Sequence, residues 1–113
     1  MLKRRVLLFS AILLILTNKV SAAWVTGLGV YTCETMLKEI NEDREAGNEI
    51  FPIEIVYTTW IQGYLSALNY NWDSNKGEGF EEGWEISLTI KRCQSNPDQM
   101  VLEAVDAVWE EDL

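Results

Sequence analysis

Residues 53–68 read IEIVYTTWIQGYLSAL, and the fold turns on how that run is phased. Ile53, Val56, Tyr57, Trp60, Ile61, Tyr64, Leu65 and Leu68 stand at offsets 0, 3, 4, 7, 8, 11, 12 and 15. That spacing puts all eight on one face of an α-helix, the stripe that a helix turns toward a core. Phe51-Pro52 opens the element, proline being suited to a first helical turn. Packing alone accounts for Trp60 and Leu65, because a stripe at helical spacing needs no ligand to explain it. Gly63 is the exception inside the run: glycine costs a helix about 1 kcal/mol against alanine and signals close approach of another group. Gly63, Ser66 and Ala67 form a small-residue side, which predicts either tight packing against a crossing helix or a dimer contact.

Beyond Leu68 the stripe stops. Residues 69–83, NYNWDSNKGEGFEEG, hold three glycines and three asparagines and read as a loop at the helix end. Trp72 and Phe80 within it either fold back on the core or present apolar surface to a partner, since interface hot spots favour Trp and Tyr. The candidate partner-binding residues are therefore Trp60, Tyr64, Asn69, Tyr70, Asn71, Trp72 and Phe80. Asp73-x-Asn75-x-Gly77 begins like an EF-hand loop, but Glu78 stands where the sharp-turn glycine belongs and Trp84 where the bidentate glutamate belongs. No metal site is expected there.

Three further helices complete the reading. Thr32 is a good N-cap for a first helix carrying Cys33, Met36, Leu37 and Ile40 on one face, followed by the polar run Asn41 to Asn48. Glu82 to Ser95 alternates like a strand at Trp84, Ile86, Leu88 and Ile90. It is assigned to a helix because a single strand in a helical chain cannot satisfy its own backbone groups. Asn96 as N-cap, Pro97 at N1 and Gln99 three residues after the cap predict the start of the fourth helix, with Met100, Val101, Ala104, Val105, Val108 and Trp109 on its core face.

At the other end of the chain, Lys3, Arg4 and Arg5 precede an apolar run from Val6 to Leu16, and Ser21, Ala22 and Ala23 follow. The run is shorter than the roughly 20 residues needed to span a bilayer and has the pattern of a secretory signal cleaved after Ala22 or Ala23. Residues 1–23 are thus expected to be a signal peptide and residues 24–113 one small domain. Setting 1–23 aside leaves five Lys+Arg against eighteen Asp+Glu, a net charge of −13. Nucleic acid and anionic membrane surfaces are poor partners for so acidic a chain, which lacks the Lys/Arg clusters that bind phosphate. A core of this size is only marginally stabilising, and an exported chain with Cys33 and Cys93 as its two cysteines favours pairing them. Such a bond is worth roughly 4 kcal/mol in the chain-entropy model. The fold class is therefore all-α: four helices, one disulfide and a preceding signal peptide.

Reaction chemistry is not legible. The chain has no histidine, the usual base for a Ser or Cys nucleophile and a common metal ligand. Glu81-Glu82 and Glu110-Glu111-Asp112 are runs of neighbours that do not face one another on a helix. No phosphate-binding glycine loop or zinc spacing occurs. The expectation is a protein that is not an enzyme and takes no cofactor.

Thr32-Cys33, the run from Trp60 to Asn69 (WIQGYLSALN) and Cys93-x-x-x-Pro97 together resemble the HdeA/HdeB-like group of small periplasmic proteins. They look similar also to the Tai-type immunity proteins of type VI secretion. The resemblance covers roughly residues 30–109, and the sequence departs from it by the acidic insertion around residues 73–83. It implies a periplasmic (alternatively secreted), single-disulfide helical domain, often a homodimer, with Cys33 and Cys93 matching the family's bonded pair. The implied activity is that of an acid-stress chaperone, loosening in strong acid and holding unfolded clients. Physics supports part of this, since the carboxylates protonate between about pH 5 and pH 3 and release the repulsion and hydrogen bonds they supply. The alternative is an immunity-type module that neutralises one specific partner with the Asn69 to Trp72 segment, its acidic neighbours speeding capture of a basic partner.

Overall fold

The computed structural model describes residues 27–113; the expected signal peptide lies outside the described residues. A 3₁₀ turn, Gly27–Val30, leads into four helices: α1 (Cys33–Glu45), α2 (Ile53–Asn71), α3 (Trp84–Ser95) and α4 (Val101–Ala107). A π-helical turn, Val108–Asp112, continues α4. The architecture is all-α, and α3 packs against each of the other three helices.

The phasing of α2 decides what the core contains. Tyr57, Ile61 and Leu65, four residues apart, are buried. Ile53, Trp60, Tyr64 and Leu68 flank that line and pack against the core half-buried. Ile55, off the stripe, is exposed. The helices opposite contribute Met36 and Ile40 from α1, Ile86 from α3, and Val101, Ala104 and Val105 from α4. Cys33 and Cys93 are bonded and fully buried, with Cα atoms 4.9 Å apart, joining the first turn of α1 to the last turn of α3 across 60 residues of chain.

Helix starts show how tightly local chemistry is coupled to the tertiary fold. Thr32 caps α1 as its sequence predicts, its side chain accepting from the Thr35 N–H. The chain after α3 departs from expectation. Asn96 to Gln99 do not open α4; they form a turn, and the helix begins only at Val101 with Met100 as N-cap. The physical reason is that this segment's carbonyls serve another helix. Gln99 and Pro97 carbonyls accept the Cys33 and Glu34 N–H groups of α1 at 2.8 and 3.0 Å. In return the Tyr31 carbonyl accepts the Val101 N–H at 2.8 Å, and Thr32 and Met100 pair in an antiparallel bridge. Met100, expected on the core face, is consequently exposed.

Two other expectations are corrected at α2. Pro52 stands one residue outside the helix as its N-cap, and the Ile53 N–H is taken by the Asp43 carboxylate of α1 at 2.7 Å. A Cβ on Gly63 would meet nothing within 4 Å, so no helix of the described residues crosses there. Gly63 and Ala67 both lie exposed, and the close-packing reading of that small-residue side is set aside. A close approach is made instead at Gly29, where a Cβ would collide with the Trp60 ring.

The disulfide ties α1 to α3 through one buried point, so its removal is expected to cost about 3–4 kcal/mol. Urea unfolding of the Cys33→Ser/Cys93→Ser variant measures this; a loss below about 1 kcal/mol would show that packing alone fixes the α1–α3 contact.

Candidate functional site

The candidate partner-binding residues divide into two groups once they are placed. Trp60, Tyr64 and Asn69 are occupied within the fold. Trp60 lies over Gly27 and Gly29 and stacks on Tyr64, ring centroids 5.3 Å apart. The Tyr64 hydroxyl donates to Asp106 of α4 at 2.7 Å. Two turns earlier, the fully buried Tyr57 donates to Glu39 of α1 at 2.6 Å. Burial raises both phenol pKa values well above the ordinary value, and the carboxylate beside each raises it further.

Asn69 is a latch rather than a contact residue. Its Nδ2 donates to the Lys76 carbonyl at 3.0 Å, and its Oδ1 accepts the Trp109 indole N–H at 3.1 Å. Lys76 closes the same knot from the loop side. Its ammonium donates to the Trp109 carbonyl at 3.0 Å and sits 3.8 Å from the centroid of that ring. The loop between α2 and α3 is thereby held against the end of α4.

The rest of the loop is built of consecutive turns. The Ser74 N–H reaches back to the Asn69 carbonyl at 2.8 Å, Glu78 to Asn75 at 3.2 Å, Phe80 to Gly77 at 3.1 Å and Trp84 to Glu81 at 3.2 Å. Gly77 is required twice over: its φ is +90°, and a Cβ would lie 2.4 Å from the Trp84 ring. Phe80 packs edge-on against Trp84, centroids 5.3 Å apart.

Tyr70, Asn71, Trp72 and Phe80 form the second group, brought to one end of α2 by this scaffold and left facing solvent. Tyr70 is 91 %, Trp72 66 % and Phe80 47 % exposed. Large aromatics scattered singly on a surface need no explanation, but three exposed within eleven residues are candidates for contact with another protein, aromatic side chains being favoured at interfaces. A second apolar pair, Ile50 and Phe51, stands at the opposite end of α2 and escaped the sequence reading, which assigned Phe51 only to the helix start.

Sequence reasoning also missed the groups that hold these pieces. Asp43, Glu39 and Asp106 look like any other acidic residue on a solvated helix face until their partners are placed. Arg92 is the clearest case: it is clasped by Asp112 at 2.6 Å and Glu111 at 2.7 Å, which fastens the π-helical turn to α3. The hydrogen bond from Arg92 holds the Asp112 carboxyl below its usual range. One signal for Lys76 was in view, since it is the only Lys or Arg between Arg44 and Lys91. Among the described residues no group of three or more Asp, Glu, Cys or His side chains is placed to hold a metal ion, and no helix is long and apolar enough to cross a membrane.

Two measurements test this division. Replacing Asn69 by Ala leaves the Trp109 N–H and the Lys76 carbonyl without their partner and is expected to cost about 1 kcal/mol, whereas Asn71→Ala stays within about 0.5 kcal/mol; urea midpoints compare them, and equal values would refute the latch. For Tyr57, the folded pKa lies above the unfolded value of about 10, so stability present below that pH is lost as pH rises beyond it. Urea midpoints followed upward from about pH 8 should fall less steeply for Tyr57→Phe than for the unaltered protein.

Compared with known proteins, the chain matches no family model, no curated protein and no solved structure.

Proposed function

We propose that this protein is a non-enzymatic binding protein that engages other proteins through the exposed aromatic face at the C-terminal end of α2. The observation that carries the reading is the exposure of Tyr70 in the last turn of α2 and of Trp72 and Phe80 on the loop that follows, a loop fixed by Asn69, Lys76 and Gly77. A rigid apolar surface loses little conformational freedom on binding, which favours affinity. The aromatic stripe of α2 is a weaker candidate, because Trp60 and Tyr64 are engaged by Gly29 and Asp106. A place outside the cytoplasm, in the periplasm, agrees with the buried Cys33–Cys93 bond and with the pattern of residues 1–23.

Acid-stress protection, the activity implied by the HdeA-like resemblance, is a second reading supported by the Arg92 clasp. Asp112 has a folded pKa below its unfolded value. The stability it contributes is therefore present above about pH 4 and lost as pH falls through the folded value. Losing that clasp frees the π-helical turn that carries Trp109, and Trp109 is one of the partners of Asn69 and Lys76. Acid would then add apolar surface to the face already exposed at neutral pH.

Light scattering of a thermally unfolded client enzyme at neutral pH tests the first reading. The protein is expected to suppress aggregation, the Tyr70→Ala/Trp72→Ala/Phe80→Ala variant to lose the effect, and Phe51→Ala to keep it. Equal protection by the triple variant would overturn the aromatic-face reading. For the second reading, apolar-dye binding to Asp112→Asn at neutral pH should already exceed that of the unaltered protein, with a smaller further rise near pH 3. Identical dye profiles would exclude the clasp as the acid-sensitive element.

A further inference from the structure

The aromatic face lies in a one-sidedly charged part of the chain. From Glu45 to Ile90 there is a single cation, Lys76, and its ammonium is turned inward onto the Trp109 carbonyl and ring. The same loop carries Asp73, Glu78, Glu81 and Glu82, all exposed. The ion pairs among the described residues use other carboxylates: Glu42, Glu54, Glu111 and Asp112. Four like charges within ten residues repel one another, and the one nearby cation that would relieve them is committed to the interior. The other cations of the described residues stand on α1 and at the end of α3.

Resting on the aromatic-face reading above, we propose that the occupant of this face is a cationic segment of a partner protein, in which Lys or Arg side chains are interspersed with apolar ones. Charge complementarity selects the cations, and the carboxylates of the loop draw them in from a distance. The exposed rings of Trp72 and Tyr70 then offer what Trp109 already gives Lys76, an aromatic face for an ammonium or guanidinium. Apolar side chains of the segment cover the remaining ring surface, which a small polycation cannot do. Nucleic acid and anionic bilayers, carrying the same sign of charge as the loop, are repelled from it.

Calorimetric titration of the intact protein with synthetic peptides tests this. An amphipathic Lys/Leu peptide is expected to bind, with an affinity falling about tenfold from low to physiological salt. Its Glu/Leu counterpart should not bind. Trp72→Ala should weaken the Lys/Leu peptide about 30-fold at either salt concentration, as expected for a hot spot. Neutralising Asp73, Glu78, Glu81 and Glu82 to Asn or Gln should remove most of the salt dependence. All of these residues are exposed, and thermal unfolding confirms that each variant is folded. Equal binding of the Glu/Leu peptide would overturn the cationic occupant while leaving the client-protection result at neutral pH, and with it the aromatic-face reading, intact. Spermidine binding as tightly as the Lys/Leu peptide would overturn the apolar requirement, and Lys/Leu binding indifferent to Trp72→Ala would overturn the location.

Discussion

Two helix beginnings that are far apart in sequence satisfy each other, and the rest of the fold is arranged around that exchange. The first N–H groups of a helix have no partner within it. In α1 all four are provided for: two by the Gln99 and Pro97 carbonyls, one by the Thr32 hydroxyl and one by the Thr32 carbonyl. Val101 of α4 donates in turn to Tyr31. The two N-caps, Thr32 and Met100, adopt nearly the same extended backbone, with φ −71° and ψ 152° against φ −72° and ψ 152°, and pair directly. The disulfide at the start of α1 then fastens this junction to α3, which packs against each of the other helices.

With one end of the domain fixed in this way, α2 works as a bridge from interior to surface. Its middle is buried through Tyr57, Ile61 and Leu65, while its end passes into a loop whose inner side is polar and aromatic knotwork and whose outer side is bare aromatic. Acidic residues appear on both sides of that boundary and do different things. Glu39 and Asp106 accept hydrogen bonds from the buried Tyr57 and the half-buried Tyr64 and so belong to the packing. Asp73, Glu78, Glu81 and Glu82 remain in water and set the charge that an approaching molecule meets. Net charge alone cannot distinguish these uses.

What was legible in the sequence follows from whether the responsible chemistry is local. The phasing of α2, the Thr32 cap and the helical choice for residues 84–95 depend on neighbours three or four residues away, and all three agree with the structure. The Cys33–Cys93 pairing was legible for a different reason, there being two cysteines and one way to join them. Asn96-Pro97-Asp98-Gln99 has the local form of a helix start, yet a tertiary demand from α1 for its carbonyls prevails. Gly63 was read as a contact and is open, whereas Gly29 and Gly77, under the rings of Trp60 and Trp84, gave no sign of those contacts in their own surroundings. For the candidate site, the exposed members Tyr70, Asn71, Trp72 and Phe80 could be singled out by where the helical stripe ends. That Asn69 faces inward depends on Trp109, forty residues away, and no local pattern records it.

The reciprocal capping of α1 and α4 also constrains the order in which the chain can acquire its structure. A polypeptide made from its N-terminus onward has the whole of α1 and α2 in hand before the carbonyls of Pro97 and Gln99 exist, so α1 begins life with its leading N–H groups on water. The contacts that finish it span more than sixty residues, a separation that slows folding because the loop must close before the bonds reward it. Native structure in this domain is therefore completed only once the segment from Pro97 to Val101 is available to α1.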